Sequence, residues 1–196
     1  MSKVIYLIGA SGSGKDSVLA GVRQWLNTEV LRPSPNLMIA NRYICRDWQS
    51  GNENHIQLSE AEFQRRQQLG FFSLDWQANG LRYGIGKEID LWLEKGQNVL
   101  VNGSREYLPT AMTIYGKDLV PVLIKVETDI LRQRLISRGR ESLPDIEARL
   151  TRTQQQFASS KAKGPLDQCH VINNNTNIDD AVLKLISYLN SLSTRS

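Results

Sequence analysis

Short apolar runs and longer amphipathic segments alternate along most of this chain. The runs predict buried strands at 4–8, 37–40, 99–103, 119–126 and 170–173. In the segments between them, apolar residues recur every three or four positions, which is the spacing of a helix with one buried face. Strands that alternate with helices in this way indicate an α/β fold built on a doubly wound parallel sheet.

Residues 41–85 interrupt that alternation. Ser59 and Glu62 have the spacing of a helix-capping pair, so a short helix is expected to begin there. Two aromatic-rich runs then flank Asn79 and Gly80, a dipeptide that favours a two-residue β-hairpin turn. We therefore predict an αββ insertion within 41–85. The predicted core of this single domain comprises 1–40, 86–137 and 158–196.

The first predicted strand leads into the most informative motif of the chain. A glycine-rich loop separates that strand from an amphipathic helix, in the order that a phosphate-binding loop (P-loop) requires. Glycines let consecutive backbone amides converge on one anion, and the positive end of the helix dipole points to the same place. Lys15 adds a full cation for the β- and γ-phosphates of a nucleoside triphosphate. The predicted ATP-binding residues are Gly9, Ala10, Ser11, Gly12, Ser13, Gly14, Lys15, Asp16 and Ser17.

Asp16 occupies the position at which such a loop usually carries Ser or Thr. A carboxylate is a hard oxygen ligand that suits Mg²⁺, but it also brings negative charge close to the phosphates. A metal ion between the carboxylate and the phosphates removes that repulsion, so we expect dependence on Mg²⁺. Either Asp16 or Ser17 is the closer metal ligand, and the sequence leaves that choice open.

Arginines cluster in the last third of the chain. A helix expected at 128–137 ends at a break that carries Arg138, and a second helix carries Arg149. Two helices joined by an arginine-bearing loop are typical of a lid that closes over transferring phosphates, and the alternative is a charged helical hairpin in solvent. The P-loop favours the lid, predicted at 138–157, and makes Lys15, Arg138 and Arg149 the candidate catalytic residues. The expected buried positions of the second helix are Ile146, Leu150 and Phe157.

Other polar side chains are candidates for binding the acceptor. Arg42 and Arg46 share one face if their segment is extended, so that both guanidiniums could grip one anion. Two solvated surface arginines are the equal alternative. Ser104 and Arg105 follow a predicted strand, and ligands of parallel sheets collect at the carboxyl ends of strands. The hairpin adds Asp75 and Tyr83, for which half-buried packing is the alternative role.

Composition narrows the possible settings of the protein. With 196 residues, of which 40% are hydrophobic, the chain fits one globular domain with a full core. The two cysteines, Cys45 and Cys169, form neither a disulfide framework nor a zinc-binding pattern, which indicates a reducing compartment. The first apolar run is too short for a signal peptide or a membrane span. We expect a cytoplasmic protein with no membrane partner, and the sequence alone does not determine its oligomeric state.

The net charge of +4 is modest, and the arginines are clustered rather than spread over the chain. A basic balance can indicate nucleic acid, but such clustering suits a small, highly charged phosphate compound at least as well. The sequence contains no basic tail and no nucleic-acid-binding motif. We therefore expect a small, highly charged phosphate compound as the partner, and no nucleic acid.

In order and spacing, several segments resemble the guanylate-kinase-like P-loop kinases along almost the full chain. These segments are 9–15, 44–46, 83–84, 138–139 and 147–150. A closer resemblance, to the ribosyl bisphosphokinase family of bacterial phosphonate breakdown, is carried by 12–17, 41–44, 53–56, 76–81, 88–93 and 101–105. It implies a P-loop NTPase fold and transfer of the ATP γ-phosphoryl group to ribose 1,5-bisphosphate. The products would be 5-phospho-α-D-ribose 1-diphosphate (PRPP) and ADP.

Departures from true guanylate kinases point in the same direction. Asp75 matches their guanine-reading carboxylate, but Ile85 replaces a hydroxyl and the strand ends in the neutral Asn102. The following Arg105 adds a cation, which suits an acceptor that has two phosphates and no base. The alternatives are a guanylate kinase or another nucleoside monophosphate kinase, and a non-catalytic guanylate-kinase-like binding module. Modules of that kind usually lack the intact P-loop present here.

Overall fold

The structure, a computed structural model, describes residues 2–28, 36–49, 54–139, 141–158 and 164–193. Within the lid segment, Arg140 and the side chain of Phe157 lie outside the described part, so the predicted burial of Phe157 stays a prediction. Glu53, the first residue of the segment 53–56, lies outside it as well.

The described residues form nine strands and seven α-helices. The strands are β1 Val4–Gly9, β2 Leu37–Ile39, β3 Arg42–Ile44, β4 His55–Gln57, β5 Phe72–Ala78, β6 Leu81–Gly86, β7 Asn98–Asn102, β8 Leu119–Lys125 and β9 His170–Asn173. The helices are α1 Lys15–Thr28, α2 Glu60–Gln68, α3 Glu88–Glu94, α4 Leu108–Tyr115, α5 Thr128–Arg138, α6 Leu143–Ala158 and α7 Ile178–Ser193. The predicted α/β fold with a parallel sheet is confirmed.

The chain forms two compact units, one of residues 1–6 and 25–120 and the other of residues 7–24 and 121–196. In the first unit, β2, β7 and the first half of β1 lie side by side, with β2 and β7 parallel. The Val99 amide donates to the Lys3 carbonyl oxygen at 2.8 Å, and the β1 residues Val4, Ile5 and Tyr6 are fully buried. These apolar strands form the core of the first unit.

The insertion belongs to the first unit and is a sheet with the strand order β4-β3-β6-β5. Asn79 and Gly80 both have positive φ, 51° and 73°, as the predicted two-residue hairpin turn requires. At the start of α2, the Ser59 side chain accepts a hydrogen bond from the Glu62 amide at 3.1 Å. The carboxylate of Glu62, however, pairs with Arg66 at 2.6 Å, so only one half of the predicted capping pair is present.

Strands β3 and β4 were not part of the predicted αββ unit, which is therefore too small a description of the insertion. They pair in parallel, with Arg42 opposite His55 and Ile44 opposite Gln57. Each strand has only three residues, which is too short to show an alternation of apolar and polar positions. Arg46 lies beyond the end of β3, so the expected extended segment from Arg42 to Arg46 stops at Ile44.

The second unit contains the second half of β1 beside β8, and β9 beside β8 in parallel register. Its core includes Leu7 and Ile8 of β1, which are fully buried, and the equally apolar strand β8. On α7, Ala181, Leu185 and Leu189, among others, are buried and form an apolar face. No helix in the described part of the chain is both long and apolar enough to cross a membrane.

Candidate active site

The glycine-rich segment forms a tight loop at the start of α1, in the second unit. Gly12 and Gly14 have φ values of +88° and +87°, a left-handed conformation that side chains disfavour. The Ser13 amide donates to the Ala10 carbonyl at 3.0 Å, and Val18 donates to the Gly14 carbonyl at 2.9 Å, which begins the helix. The remaining amides of the loop stand at a helix N-terminus, which is a favourable place for an anion.

Close packing explains why the loop needs two of its glycines. A Cβ on Gly9 would lie 2.6 Å from Ser13 Oγ and 2.8 Å from the Ile124 carbonyl oxygen. A Cβ on Gly14 would lie 2.5 Å from Asn174 Nδ2. These distances are shorter than nonbonded atoms tolerate, so the loop can hold this shape only with glycine at these positions.

Asn174 supports the glycine-rich loop, a role that the sequence did not predict. This residue is fully buried and directly follows β9. Its side-chain Nδ2 donates to the Ser13 carbonyl oxygen at 2.8 Å, and its backbone amide donates to the Lys125 carbonyl oxygen at 2.8 Å. One asparagine thus ties the loop to the end of β8. Only the run of asparagines at 173–175 hinted at a polar role, and it did not specify which loop it would contact.

The two lid helices pack against the same loop. Ala10 forms an apolar cluster with Leu131 and Leu135 of α5 and with Ile146 and Leu150 of α6. Two of these, Ile146 and Leu150, were predicted to face inward. The cluster packs α5 and α6 against the glycine-rich loop.

Of the two lid arginines, Arg149 reaches the loop. Its Nη1 lies 3.3 Å from Ser11 Oγ, and its Nη2 pairs with Glu141 at 2.9 Å. The other, Arg138, is the last residue of α5 and is exposed, directly before Gly139, which ends the helix in a left-handed conformation. The structure therefore brings Arg149 together with the loop and leaves Arg138 on the lid surface.

The candidate metal ligands lie in the first turn of α1. Asp16 is partly exposed and Ser17 is exposed, so their oxygens can reach a ligand in solvent. Among the described residues, no group of three His, Cys, Asp or Glu side chains could hold a metal ion by itself. One carboxylate and one hydroxyl next to a phosphate site fit Mg²⁺, which is commonly bound through few protein ligands and the phosphates of its nucleotide.

In the first unit, one group of candidates forms an aromatic and cationic stack. The Arg42 guanidinium lies over the Tyr83 ring, 5.0 Å from its centroid. That ring is stacked on Trp76 at a centroid distance of 5.5 Å, and Trp76 is stacked on Tyr107 at the same distance. Stacking restricts the guanidinium plane of Arg42, which favours a fixed orientation toward an anion.

Arg46 is held by a histidine on the neighbouring strand. His55 has only 7% of its surface exposed, and its Nε2 lies 3.2 Å from the Arg46 carbonyl oxygen. Its Nδ1 lies 3.5 Å from Nη2 of the same arginine. Nδ1 can accept from a guanidinium only in the neutral ring, whose proton is then on Nε2 and is donated to the carbonyl. His55 therefore contacts both the main chain and the guanidinium of Arg46. The sequence did not predict these contacts.

The remaining candidates, Asp75, Ser104 and Arg105, also lie in the first unit. The Asp75 carboxylate accepts a hydrogen bond from Gln67 at 2.5 Å. Burial lowers the pKa of Arg105, and the neighbouring Glu106 carboxylate partly opposes that effect. A guanidinium is ordinarily a very strong base, so this side chain stays charged, and partial removal from water strengthens its attraction for an anion.

The curated relatives of this chain share one name. No family model matches the chain. A protein of Pectobacterium atrosepticum named ribose 1,5-bisphosphate phosphokinase PhnN is 48% identical over 174 residues, which are 89% of this chain and 86% of that protein. The protein of the same name in Klebsiella pneumoniae is 44% identical over 193 residues, 98% of this chain and 95% of its own. In Desulfomicrobium baculatum, the protein of that name is 51% identical over 154 residues, 79% of each chain.

Among solved structures, guanylate kinase from Anaplasma phagocytophilum has the same fold. Its TM-score is 0.68 at 15% sequence identity, and the alignment covers 97% of this chain and 86% of that one. At such low identity the likeness concerns the fold alone. It agrees with the P-loop geometry described above.

Proposed function

The chain belongs to the ribose 1,5-bisphosphate phosphokinase family, and we propose that it transfers the γ-phosphoryl group of ATP to the 1-phosphate of ribose 1,5-bisphosphate. The products are PRPP and ADP. The observation that carries this proposal is the intact phosphate-binding loop in a chain 44% to 51% identical to three kinases of that name. A non-catalytic binding module would not need to keep Gly12 and Gly14, whose positive φ values other residues disfavour.

The loop binds the triphosphate of ATP. Backbone amides between Gly9 and Gly14 surround the β-phosphate, and the Lys15 ammonium neutralises the β- and γ-phosphates. Asp16 and Ser17 would hold Mg²⁺, which supplies positive charge to the phosphate oxygens when it is bound. Arg149 stands beside Ser11 of the loop, where its guanidinium can stabilise the charge that develops on the transferred group.

The acceptor is bound by the first unit. Arg46, oriented by His55, and Arg42, oriented by Tyr83, supply two guanidiniums for one phosphate group. Arg105 and Ser104 supply a further cation and a hydroxyl for the other phosphate. The Asp75 carboxylate already accepts one hydrogen bond, from Gln67.

No general base is required for this reaction. The nucleophile is an oxygen of a phosphate monoester, whose second pKa is about 6, so it is largely ionised at neutral pH. Positioning of the two phosphates and neutralisation of their charge therefore supply the catalysis.

An acceptor screen tests the proposed function. The purified protein is assayed for ADP release with ATP and Mg²⁺ in the presence of ribose 1,5-bisphosphate, GMP or water alone. We expect fast ADP release with ribose 1,5-bisphosphate and little with GMP, since a site that does not pair the polar edge of guanine discriminates strongly against it. Faster transfer to GMP would favour the nucleoside monophosphate kinase, and absence of nucleotide binding would favour the binding module.

Arg138→Ala tests the lid. We expect kcat to fall by about one to two orders of magnitude, with a smaller rise in the KM for ATP, because the guanidinium is needed mainly when charge develops on the transferred group. Steady-state kinetics with ATP as the varied substrate measure this. Arg134→Ala, on the same helix, is the matched control. If the KM for ATP rises more than kcat falls, Arg138 is only a binding group.

His55→Phe tests the orientation of Arg46. The ring is kept but both hydrogen bonds to Arg46 are lost, so we expect the KM for ribose 1,5-bisphosphate to rise about tenfold while the KM for ATP is unchanged. His170→Phe is the control, because His170 is exposed and stacked on Tyr188 in the second unit. Equal acceptor KM values for the wild type and His55→Phe would remove His55 from this role.

A further inference from the structure

Tyr6 brings a hydroxyl group into the middle of an apolar strand. It stands between Ile5 and Leu7 in β1 and has 0% of its surface exposed. A buried tyrosine hydroxyl normally finds a hydrogen-bond partner, since the loss of water is otherwise costly. The sequence pattern treats this position as core, and nothing in the pattern explains why it is not phenylalanine.

The partner of Tyr6 is the backbone of a single residue. The hydroxyl donates to the Ser104 carbonyl oxygen at 3.3 Å and accepts from the Ser104 amide at 3.0 Å. Burial raises the pKa of Tyr6 well above its ordinary value, so the hydroxyl keeps the proton that it donates. One side chain thus satisfies both main-chain groups of Ser104.

Ser104 lies where regular structure has ended. Strand β7 ends at Asn102 and α4 begins at Leu108, so the segment 103–107 lies outside both the strand and the helix. The Tyr6 ring also limits this segment from one side, because a Cβ on Gly103 would overlap the carbons of that ring. The hydroxyl and the ring of Tyr6 therefore fix the position and the direction of the backbone at Ser104 and Arg105.

We propose that Tyr6 is the positioning residue of the acceptor site, which places Ser104 and Arg105 for binding of the acceptor phosphates. This inference rests on the proposed function, in which those two residues contact ribose 1,5-bisphosphate. Tyr6 is fully buried and acts only through the segment 103–107. Because an error of about 1 Å in a binding group can cost two orders of magnitude in rate, a loosened segment has a measurable effect.

A purely structural role for Tyr6 makes different predictions. If the hydrogen bonds of the Tyr6 hydroxyl only stabilised the core, removal of the hydroxyl would lower thermal stability. The relative KM values of the two substrates would then be unchanged. If it positions the acceptor segment, its removal raises the KM of the acceptor selectively. Tyr115 offers a matched comparison in the same unit, because its hydroxyl donates to the Asp90 carboxylate at 2.7 Å, away from the Ser104 backbone.

The experiment compares Tyr6→Phe and Tyr115→Phe with the wild type. Initial rates are measured while ATP and ribose 1,5-bisphosphate are varied in turn, and hydrogen exchange is followed for the peptide that contains 103–107. We expect Tyr6→Phe to raise the acceptor KM about tenfold, leave the ATP KM unchanged and speed exchange in that peptide. Tyr115→Phe should change none of the three. An unchanged acceptor KM, or unchanged exchange at 103–107, overturns the inference.

A second variant covers a failure of Tyr6→Phe to fold. Gly103→Ala keeps Tyr6 but pushes the segment off its ring, so we expect the same selective rise of the acceptor KM. Normal acceptor KM for Gly103→Ala would count against the inference.

Measurements on the wild-type protein distinguish a failure of the proposed function from a failure of the proposed role of Tyr6. If it transfers phosphate to GMP and not to ribose 1,5-bisphosphate, the proposed function fails, and the same KM comparison is made with GMP as the acceptor. The exchange measurement needs no acceptor, and it supports or overturns the placement of 103–107 by Tyr6 in either case.

Discussion

Lys15→Ala is expected to lower kcat by a factor of at least about 10³ while the protein stays folded. Its ammonium is the full cation that the loop sequence itself brings to the β- and γ-phosphates, and charge neutralisation carries most of the catalysis in a reaction without a general base. Glycine conformations, the Ser13–Ala10 hydrogen bond and Asn174 define the shape of the loop, so we expect the variant to keep it. Turnover with ribose 1,5-bisphosphate and a thermal melt measure the two halves of the expectation.

Lys184→Ala is the control for this variant. Lys184 forms an exposed ion pair with Asp180 on α7 at 2.7 Å, and such pairs contribute little to stability. We expect kcat and the melting temperature to stay close to those of the wild type. Turnover of Lys15→Ala within tenfold of the wild type would remove the lysine from its catalytic role.

Arg149→Ala is expected to lower kcat by about 10²–10³, with a smaller effect on the KM of either substrate. Arg149 is the lid arginine that touches the loop, at Ser11, and its pairing with Glu141 holds the guanidinium in place before substrates bind. A preorganised cation lowers the barrier because it needs no rearrangement when charge develops on the γ-phosphoryl group. Arg149→Lys should recover little activity, since one ammonium cannot replace a planar fork with five donors.

Arg132 provides the matched control for Arg149. It also forms an arginine–glutamate pair between the lid helices, with Glu147 at 2.8 Å, but that pair is exposed and stands apart from the Ser11 contact. We expect Arg132→Ala to keep kcat within about twofold of the wild type. If both variants lose the same fraction of activity, the effect of Arg149 comes from lid stability rather than from the transferred phosphate.

Local patterns in the sequence were sufficient to predict the parts of the fold whose cause is local. The Asn79 and Gly80 turn, the helix start at Ser59 and the left-handed glycines of the loop follow from the preferences of the residues themselves. The three-residue strands β3 and β4 could not be predicted, because they exist only through pairing with each other and, for β3, with β6. The predicted αββ insertion was therefore incomplete.

The functional residues that sequence reasoning missed act through contacts between distant parts of the chain. Asn174 reaches Ser13 across 161 positions, and Tyr6 reaches Ser104 across 98. No periodicity encodes such a contact, and each residue taken alone fits a core or loop position. The contacts of His55 with Arg46 depend on the register of β3 and β4, which the sequence did not predict. The sequence was sufficient to identify the candidate site residues, but not the residues that hold them in place.

The central claim is that the phosphoryl group of ATP moves to the 1-phosphate of ribose 1,5-bisphosphate. ³¹P NMR of a reaction with ATP, Mg²⁺ and this acceptor tests it most directly, because a diphosphate gives two coupled phosphorus signals and a monophosphate gives one. We predict that the signal of the 1-phosphate is replaced by a coupled pair, while the 5-phosphate signal persists and ADP forms in equal amount. Two results would contradict this: release of ADP and inorganic phosphate without a new sugar diphosphate, or formation of a new diphosphate only when GMP replaces the sugar bisphosphate.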